Sequence, residues 1–539
     1  MHQRLTRAMA VLAASAMTLL PVYPAFAQNE DGSSTKTPIK HVVVIFQENV
    51  SFDHYFGTYP NALNPAGEPA FHAKPRTPAV NGLSGGLLTK NPNLNPANGT
   101  GATNPFRLDR SQVVTRSQGH GYKQEQQAFD NGLMDLFPLY VGRSGPPPAG
   151  GGVANTTGVN LGYFDGNTVT ALWNYAQHFA MSDNSYSTGF GPSTPGMLNL
   201  ISGQTNGAID ISAAAGSGVV DGGAGSFTVI SDPDPVGDVC SSSAVVSMKG
   251  QNVGDLLSAE GVSWGAFMGG FDLTIKNPNG TTGCKRSSTG LAGTTGDYIP
   301  HHAFFQYYPT TANLTHARPA SIAEIGNAGP ANHQYDMNDF FAAVGAGNFP
   351  AVSFLKAQAY QDGHAGYSDP LDEQTFVVNV VNFLQSQPEW GSTAVVIMYD
   401  DSDGWCDHQI GPILNQSRGT ADALSGPGLC GSAADSTALP GVDTVNAHAL
   451  GRCGLGPRQP LLVVSPWARR NFVDHSVTDQ TSVLRFIEDN WLQGQRIGQG
   501  SFDAITNSIT QMFDFNDDPG NGVLLLDPLT GLILSSNTR

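Results

Sequence analysis

The chain has 539 residues, enough for a substantial core, and carries 26 basic against 44 acidic residues for a net charge of −18. That balance argues against non-specific nucleic-acid binding and against a polybasic membrane-surface patch, both of which need a cationic face. It leaves anionic substrates open, because a bound divalent cation inverts the local charge.

Residues 1–27 read as a cleaved export signal. Arg4 and Arg7 precede an apolar stretch from Ala8 to Leu20, and Ala25-Phe26-Ala27 gives the small-x-small pattern of a signal peptidase site. The apolar stretch is too short, and too soon followed by Pro21 and Pro24, to cross a bilayer, and no later run approaches that length. The expected mature protein is therefore secreted or periplasmic, has no integral membrane segment, and forms a single domain over 28–539.

"HVVVIFQ" (41–47) is β-branched and nearly continuous, as in a strand buried on both faces. From 60 to 105 the chain is rich in Asn, Pro and Gly and reads as a surface excursion with little regular structure. Helices are expected over 121–137 and 167–179, the second capped by Asn167 or Thr168. Residues 204–300 read as irregular Gly/Ser-rich insertions over a pocket, with a helix at 253–261 and a strand at 262–268 inside them. Strands at 351–357, 393–401 and 459–467 alternate with helices at 372–386 and 479–491. The alternation predicts an α/β fold with a doubly wound, mostly parallel sheet flanked by helices. Of the five cysteines, Cys240 with Cys284 and Cys430 with Cys453 are the favoured disulfides, since each pair brackets a Gly/Ser-rich stretch and an exported chain keeps disulfides. Cys406 is left over.

Two of the strands end in acids. "HVVVIFQEN" delivers Glu48 and Asn49, and "VVIMYDD" delivers Asp400 and Asp401. In open α/β sheets ligands bind beyond the carboxyl ends of the strands. Three carboxylates and an amide meeting there would repel one another unless a cation sat among them. The bland alternative for "DDSDG" is a solvated turn or a structural calcium loop. In "GFGPSTPGMLNLI" a Gly-Pro-Ser turn precedes an apolar run, which places Ser193 near a helix N-terminus, where N–H groups and the dipole favour an anion; an ordinary Ser N-cap is the alternative. His120, His302 and His364 each lie in a turn containing Gly or Pro, suited to donating to an oxyanion or a leaving group. His54, His301, His408 and His475 are further loop-placed candidates.

"HVVVIFQENVSFDHYFG", "HGYKQEQQAFDNGLMDLF", "DNSYSTGFGPSTPGMLNLISG", "HHAFFQYY", "YQDGHAGYSDP", "MYDDSDGWCDH" and "RQPLLVVSPWARRNFVDHSVTDQTSVLRFIE" occur in this order. Together they resemble the bacterial acid phosphatase/phospholipase C phosphoesterase superfamily, from about Pro38 to the C-terminus. The resemblance implies a doubly wound α/β sheet related to alkaline phosphatase in architecture. It implies a divalent metal held by Glu48, Asn49, Asp400 and Asp401, with Ser193 as nucleophile and His120, His302 and His364 around the phosphoryl group. Phospholipase C relatives carry Thr in the turn where this chain has Ser193 followed by Thr194, so Thr194 stays open as the nucleophile. The expected activity is that of an exported acid phosphatase with broad specificity, acting on small phosphorylated substrates through a phosphoserine. The nearest alternative is a phospholipase C acting on phosphatidylcholine-like lipids; a non-catalytic exported binding protein is the alternative of a different class. The histidines are expected to be protonated at mildly acidic pH.

Overall fold

The computed structural model describes residues 35–145, 152–223, 225–431, 450–516 and 522–537. The expected export signal lies outside them. Strand β1 is His41–Gln47, and Val42 through Phe46 are wholly buried without alternation, so chain covers both faces of the sheet at this strand. The other strands of the same sheet are β2 (Ala180–Ser182), β3 (Trp264–Met268), β4 (Gln334–Asp336), β5 (Val352–Lys356), β6 (Thr393–Tyr399), β7 (Leu461–Val464) and β8 (Phe472–Asp474). Their order is β4-β3-β5-β1-β6-β7-β2-β8. All run parallel except β7, which is antiparallel to both β6 and β2.

The register decides where the site falls. Gln47 of β1 pairs with Tyr399 of β6, so Glu48 and Asp400 leave the sheet side by side although they are far apart in sequence. The Asp400 N–H donates to the Gln47 carbonyl at 3.2 Å, which ties the two exits together. On the other flank Ile45 pairs with Leu355, so the end of β5 lies level with Phe46.

The helices that bear on the site are α1 (Phe52–Phe56), α2 (Tyr122–Phe129), α3 (Thr170–His178), α4 (Ser193–Ser202), α5 (Val253–Ala259), α6 (Met337–Gly345), α7 (Pro370–Gln385) and α8 (Thr481–Trp491). Among the described residues no helix is long and apolar enough to cross a membrane.

The structure corrects several local expectations. The helix expected over 121–137 stops at Phe129, because Asp130 and Asn131 take left-handed backbone angles (φ 41° and 54°) that Asp and Asn tolerate and a helix does not. Helix α3 starts only at Thr170 and neither Asn167 nor Thr168 caps it. The Asn167 Oδ1 is spent on the Asn64 N–H at 2.9 Å instead. Strand β7 runs against its neighbours, and β2, β4 and β8, three residues each, were too short to give a period. The 204–300 segment is more regular than its composition suggests. Val219–Gly223 pairs with Ser226–Val229, and Ser287–Gly290 pairs with Gly293–Gly296, where the hydroxyls of Thr289 and Thr294 bond across the strands at 2.7 Å. The helix and the strand expected inside it are α5 and β3. Cys240 joins Cys284, Cys430 joins Cys453, and Cys406 is free and buried.

Candidate active site

Beyond β1 the chain turns sharply at Asn49, whose φ is 61°. Asparagine tolerates this left-handed angle better than most residues. The turn aims the Asn49 N–H at Asp400 Oδ1 (2.9 Å) and its side-chain amide at Asp403 Oδ1 (3.3 Å). Behind it Ser51 caps α1, which carries the buried Phe52 and Tyr55 under the turn. Helix α4 packs close against the exit of β6: a Cβ on Gly196 would fall 2.4 Å from the Asp400 carbonyl oxygen, so only glycine permits the approach. That approach places Ser193, the first residue of α4, with its Oγ 3.1 Å from Glu48 Oε2 and 3.2 Å from Asp401 Oδ2, able to donate to either.

The neighbouring hydroxyl points elsewhere. The Thr194 N–H donates to Asp232 Oδ1 at 2.8 Å and its Oγ1 meets the Tyr307 hydroxyl at 3.4 Å. Only Ser193 of the two meets the carboxylates. Thr194→Ala is therefore expected to keep kcat within about tenfold of wild type, since it removes one neutral hydrogen bond worth roughly 1 kcal/mol; steady-state rates on an aryl phosphate check this.

Glu48, Asn49, Asp400 and Asp401 are all buried. Burial, and then the Asp400 charge, push both the Glu48 and the Asp401 carboxyl well above the ordinary carboxylate range. Asn49 Oδ1 and Asp400 Oδ2 are buried with no hydrogen-bond partner. An orphaned oxygen of this kind costs about 1–3 kcal/mol, more when charged. A divalent cation among these oxygens removes both penalties, and an all-oxygen donor set suits a hard ion. The residues present fit a metal.

The three predicted histidines gather at the same place. His302 Nδ1 lies 3.2 Å from Glu48 Oε1 and 3.9 Å from Asp362 Oδ2. His120 Nδ1 lies 3.0 Å from Asp403 Oδ1, and His364 stands edge-on to His120 with 6.0 Å between ring centroids. Their charges differ from expectation. For His120 burial opposes protonation, but Asp401 and Asp403 outweigh it and hold the ring well above the ordinary 6.5. Burial, helped by His301 and Lys356, pushes His302 well below 6.5. Burial also pushes His364 down. His301 takes the second cationic role: burial opposes it, but Asp234, 3.3 Å from its Nδ1, together with Asp232 raises it. The remaining candidates sit apart: His54 is stacked on Trp405 with its pKa pushed down to about 4 by burial, His408 pairs with Asp53 at 2.6 Å, and His475 pairs with Asp183 at 2.8 Å on the surface.

Four further residues enter the site that sequence reasoning did not single out. Lys356, at the end of β5, pairs with Glu48 Oε1. Burial opposes its charge, and the carboxylates of Glu48, Asp400 and Asp362 overcome that and raise its pKa. The Asp362 carbonyl accepts the Glu48 N–H at 2.8 Å, while burial pushes its carboxyl up to about 7. Asp403 accepts from Asn49, His120 and, at 3.0 Å each, the Ser117 hydroxyl and the Gln118 N–H. Glu125, on α2, joins the two loops, accepting from the Gly191 N–H at 2.9 Å and the Ser402 hydroxyl at 2.8 Å; burial pushes it up to about 7. Asp362 and Asp403 lay inside the blocks "YQDGHAGYSDP" and "DDSDG", and Lys356 closed the apolar run "AVSFLKA", so an acid or a base at a strand end was the available signal.

The family model described as Phosphoesterase matches residues 39–492. The chain is 25% identical over 505 residues to a non-hemolytic phospholipase C of Pseudomonas aeruginosa, an alignment that covers 89% of this chain and 58% of that protein. It is 24% identical to phospholipase C A of Mycobacterium tuberculosis, covering 90% of this chain and 79% of the other. Among solved structures it is similar to a protein of the alkaline phosphatase superfamily from Vibrio parahaemolyticus, at 10% identity and a TM-score of 0.27, covering 76% of this chain and 77% of that one.

Proposed function

The chain belongs to the Phosphoesterase family, and on that premise we propose that it is an exported, metal-dependent phosphoric ester hydrolase that acts on phosphomonoesters through a phosphoserine on Ser193. The observation that carries this is the Ser193 hydroxyl held between Glu48 and Asp401 at the start of α4. Ser193 Oγ attacks phosphorus in line, its proton passes to one of those two carboxylates, and the P–O bond to the alcohol breaks as the Oγ–P bond forms. His120, held protonated, donates to the departing alcohol oxygen, and water then hydrolyses the phosphoserine to return the hydroxyl. A divalent cation bound by Glu48, Asn49, Asp400 and Asp401 supplies charge neutralisation on the phosphoryl oxygens and lowers the pKa of the attacking hydroxyl. The Lys356 ammonium and the raised pKa values of His120 and His301 add positive charge that suits a dianionic monoester better than a monoanionic diester.

Cleavage of phospholipids is the second reading, favoured by the curated relatives named above, which are phospholipases C. Comparing p-nitrophenyl phosphate with its phosphorylcholine ester, with and without chelator, separates the two. A preference for the monoester that chelator abolishes supports the first reading; a preference for the diester supports the second.

The pH profile follows from the histidine charges. A group whose pKa is raised keeps its proton at and below the ordinary value and loses it only as pH climbs through the raised one. The step that needs protonated His120 should therefore fall as pH climbs, with Asp403, outside the four proposed ligands and 3.0 Å from Nδ1, favouring the charged ring once a cation neutralises Asp401. His120→Asn is expected to lower kcat by about 10²-fold or more and to flatten that alkaline limb. An unchanged limb in His120→Asn would remove this histidine from the proton transfer.

A further inference from the structure

The loops that carry the site share an anchor. Glu373, in the first turn of α7, is 1% exposed. Its two carboxyl oxygens are taken by two phenols from different elements. The Tyr399 hydroxyl donates to Oε1 at 2.6 Å, and the Tyr55 hydroxyl donates to Oε2 at 2.8 Å. Tyr399 is the last residue of β6, so Asp400 follows it directly. Tyr55 lies on α1, which follows the sharp turn at Asn49. A third segment closes on the same group. At Gly363, whose φ is 95°, an added Cβ would fall 3.0 Å from the Glu373 carboxyl carbon and 3.3 Å from the Glu48 carbonyl oxygen. The link between Asp362 and His364 therefore lies against both residues, with no room for a side chain. Burial pushes the Glu373 carboxyl up to about 8 although both phenols pull it down. An acid is held at this point at a cost that an apolar residue would avoid.

We propose that Glu373 is a positioning residue: through Tyr399 and Tyr55 it fixes the exits of β6 and β1 against each other, and so sets the reach from Ser193 to Glu48 and Asp401. The inference rests on the reading of Ser193 and its carboxylates given above. A misplacement of about 1 Å in such a constellation costs about 10²-fold in rate, even when its source lies away from the chemistry.

The test is a double-mutant cycle on the full chain, read by steady-state kinetics on p-nitrophenyl phosphate and by amide hydrogen exchange. Tyr399→Phe and Glu373→Gln are each expected to lower kcat about tenfold or more, with KM within about threefold of wild type. The double variant should fall no further than the poorer single one, since both changes break the same link. Exchange should quicken over residues 49–57 and 399–403 in all three. Val377→Ala, on the same helix and wholly buried, is the control. It should lower the melting temperature and leave kcat and the exchange of those two segments unchanged. Folded single variants with wild-type kcat would overturn the proposal, and so would additive losses or an equal loss in Val377→Ala. Should Glu373→Gln fail to fold, Tyr399→Phe against Val377→Ala still decides, because the Tyr399 hydroxyl bonds Glu373. A wild type inactive on the ester would overturn the functional reading, and the exchange comparison would still decide whether Glu373 holds the two exits.

Discussion

Ser193→Ala is expected to lower kcat for p-nitrophenyl phosphate by about 10⁴-fold or more, because it removes the atom proposed to form the covalent bond. Folding should be nearly untouched. The hydroxyl serves the two carboxylates and caps nothing, since Pro192 is the N-cap of α4 and makes no side-chain bond there. Removing it leaves Glu48 with Lys356 and His302 still in contact. A Ser193→Ala protein that retains near-wild-type turnover, alongside a Thr194→Ala protein that loses it, would move the nucleophile by one residue and contradict the distances at Ser193.

Asp400→Asn carries the second large effect. Asp400 Oδ1 accepts the N–H groups of Asn49 (2.9 Å) and Asp401 (2.7 Å), and its Oδ2 has no partner. An amide keeps the first role and replaces the orphaned oxygen with an NH₂ that cannot ligate a cation. Metal affinity should fall by more than the roughly 10- to 100-fold that loss of an outer partner costs, and activity should fall with it. Thermal stability should respond in the opposite sense when metal is absent. The variant removes one of several like charges that repel in a buried cluster, so chelator-treated Asp400→Asn should unfold at or above the temperature of chelator-treated wild type. Metal-loaded wild type should be the more stable of the loaded pair. Calorimetry with and without chelator reads both comparisons. Activity indifferent to chelator would remove the metal from the mechanism.

Much of this site was legible because it lies at strand ends. "HVVVIFQEN" and "VVIMYDD" each announce a buried strand followed by candidate oxygen ligands, and the parallel register converts that pattern into adjacent exits for Glu48 and Asp400. The place of Ser193 at a helix start was legible from the Gly-Pro-Ser turn. The choice between it and Thr194 was not, because it depends on which hydroxyl faces the carboxylates, and that follows from Gly196 seating α4 against Asp400. Lys356 was hidden because a lysine at the end of an apolar strand reads as a solvated terminus until the neighbouring strands are known. The charges of His302 and His364 were misjudged for a related reason: a turn suggests exposure, and burial, not the turn, sets their protonation. The short strands β2, β4 and β8 carry too few residues for any periodicity, and the sheet recruits them through pairing alone.

The stereochemical course at phosphorus tests the phosphoserine most directly. Hydrolysis, in water labelled with a third oxygen isotope, of an aryl phosphorothioate made chiral by the other two proceeds by two in-line displacements if Ser193 Oγ attacks first and water second, and each displacement inverts the centre. Net retention is the predicted result. Net inversion would mean that water attacks the ester directly, with Ser193 only a ligand or a hydrogen-bond donor, and would contradict the account.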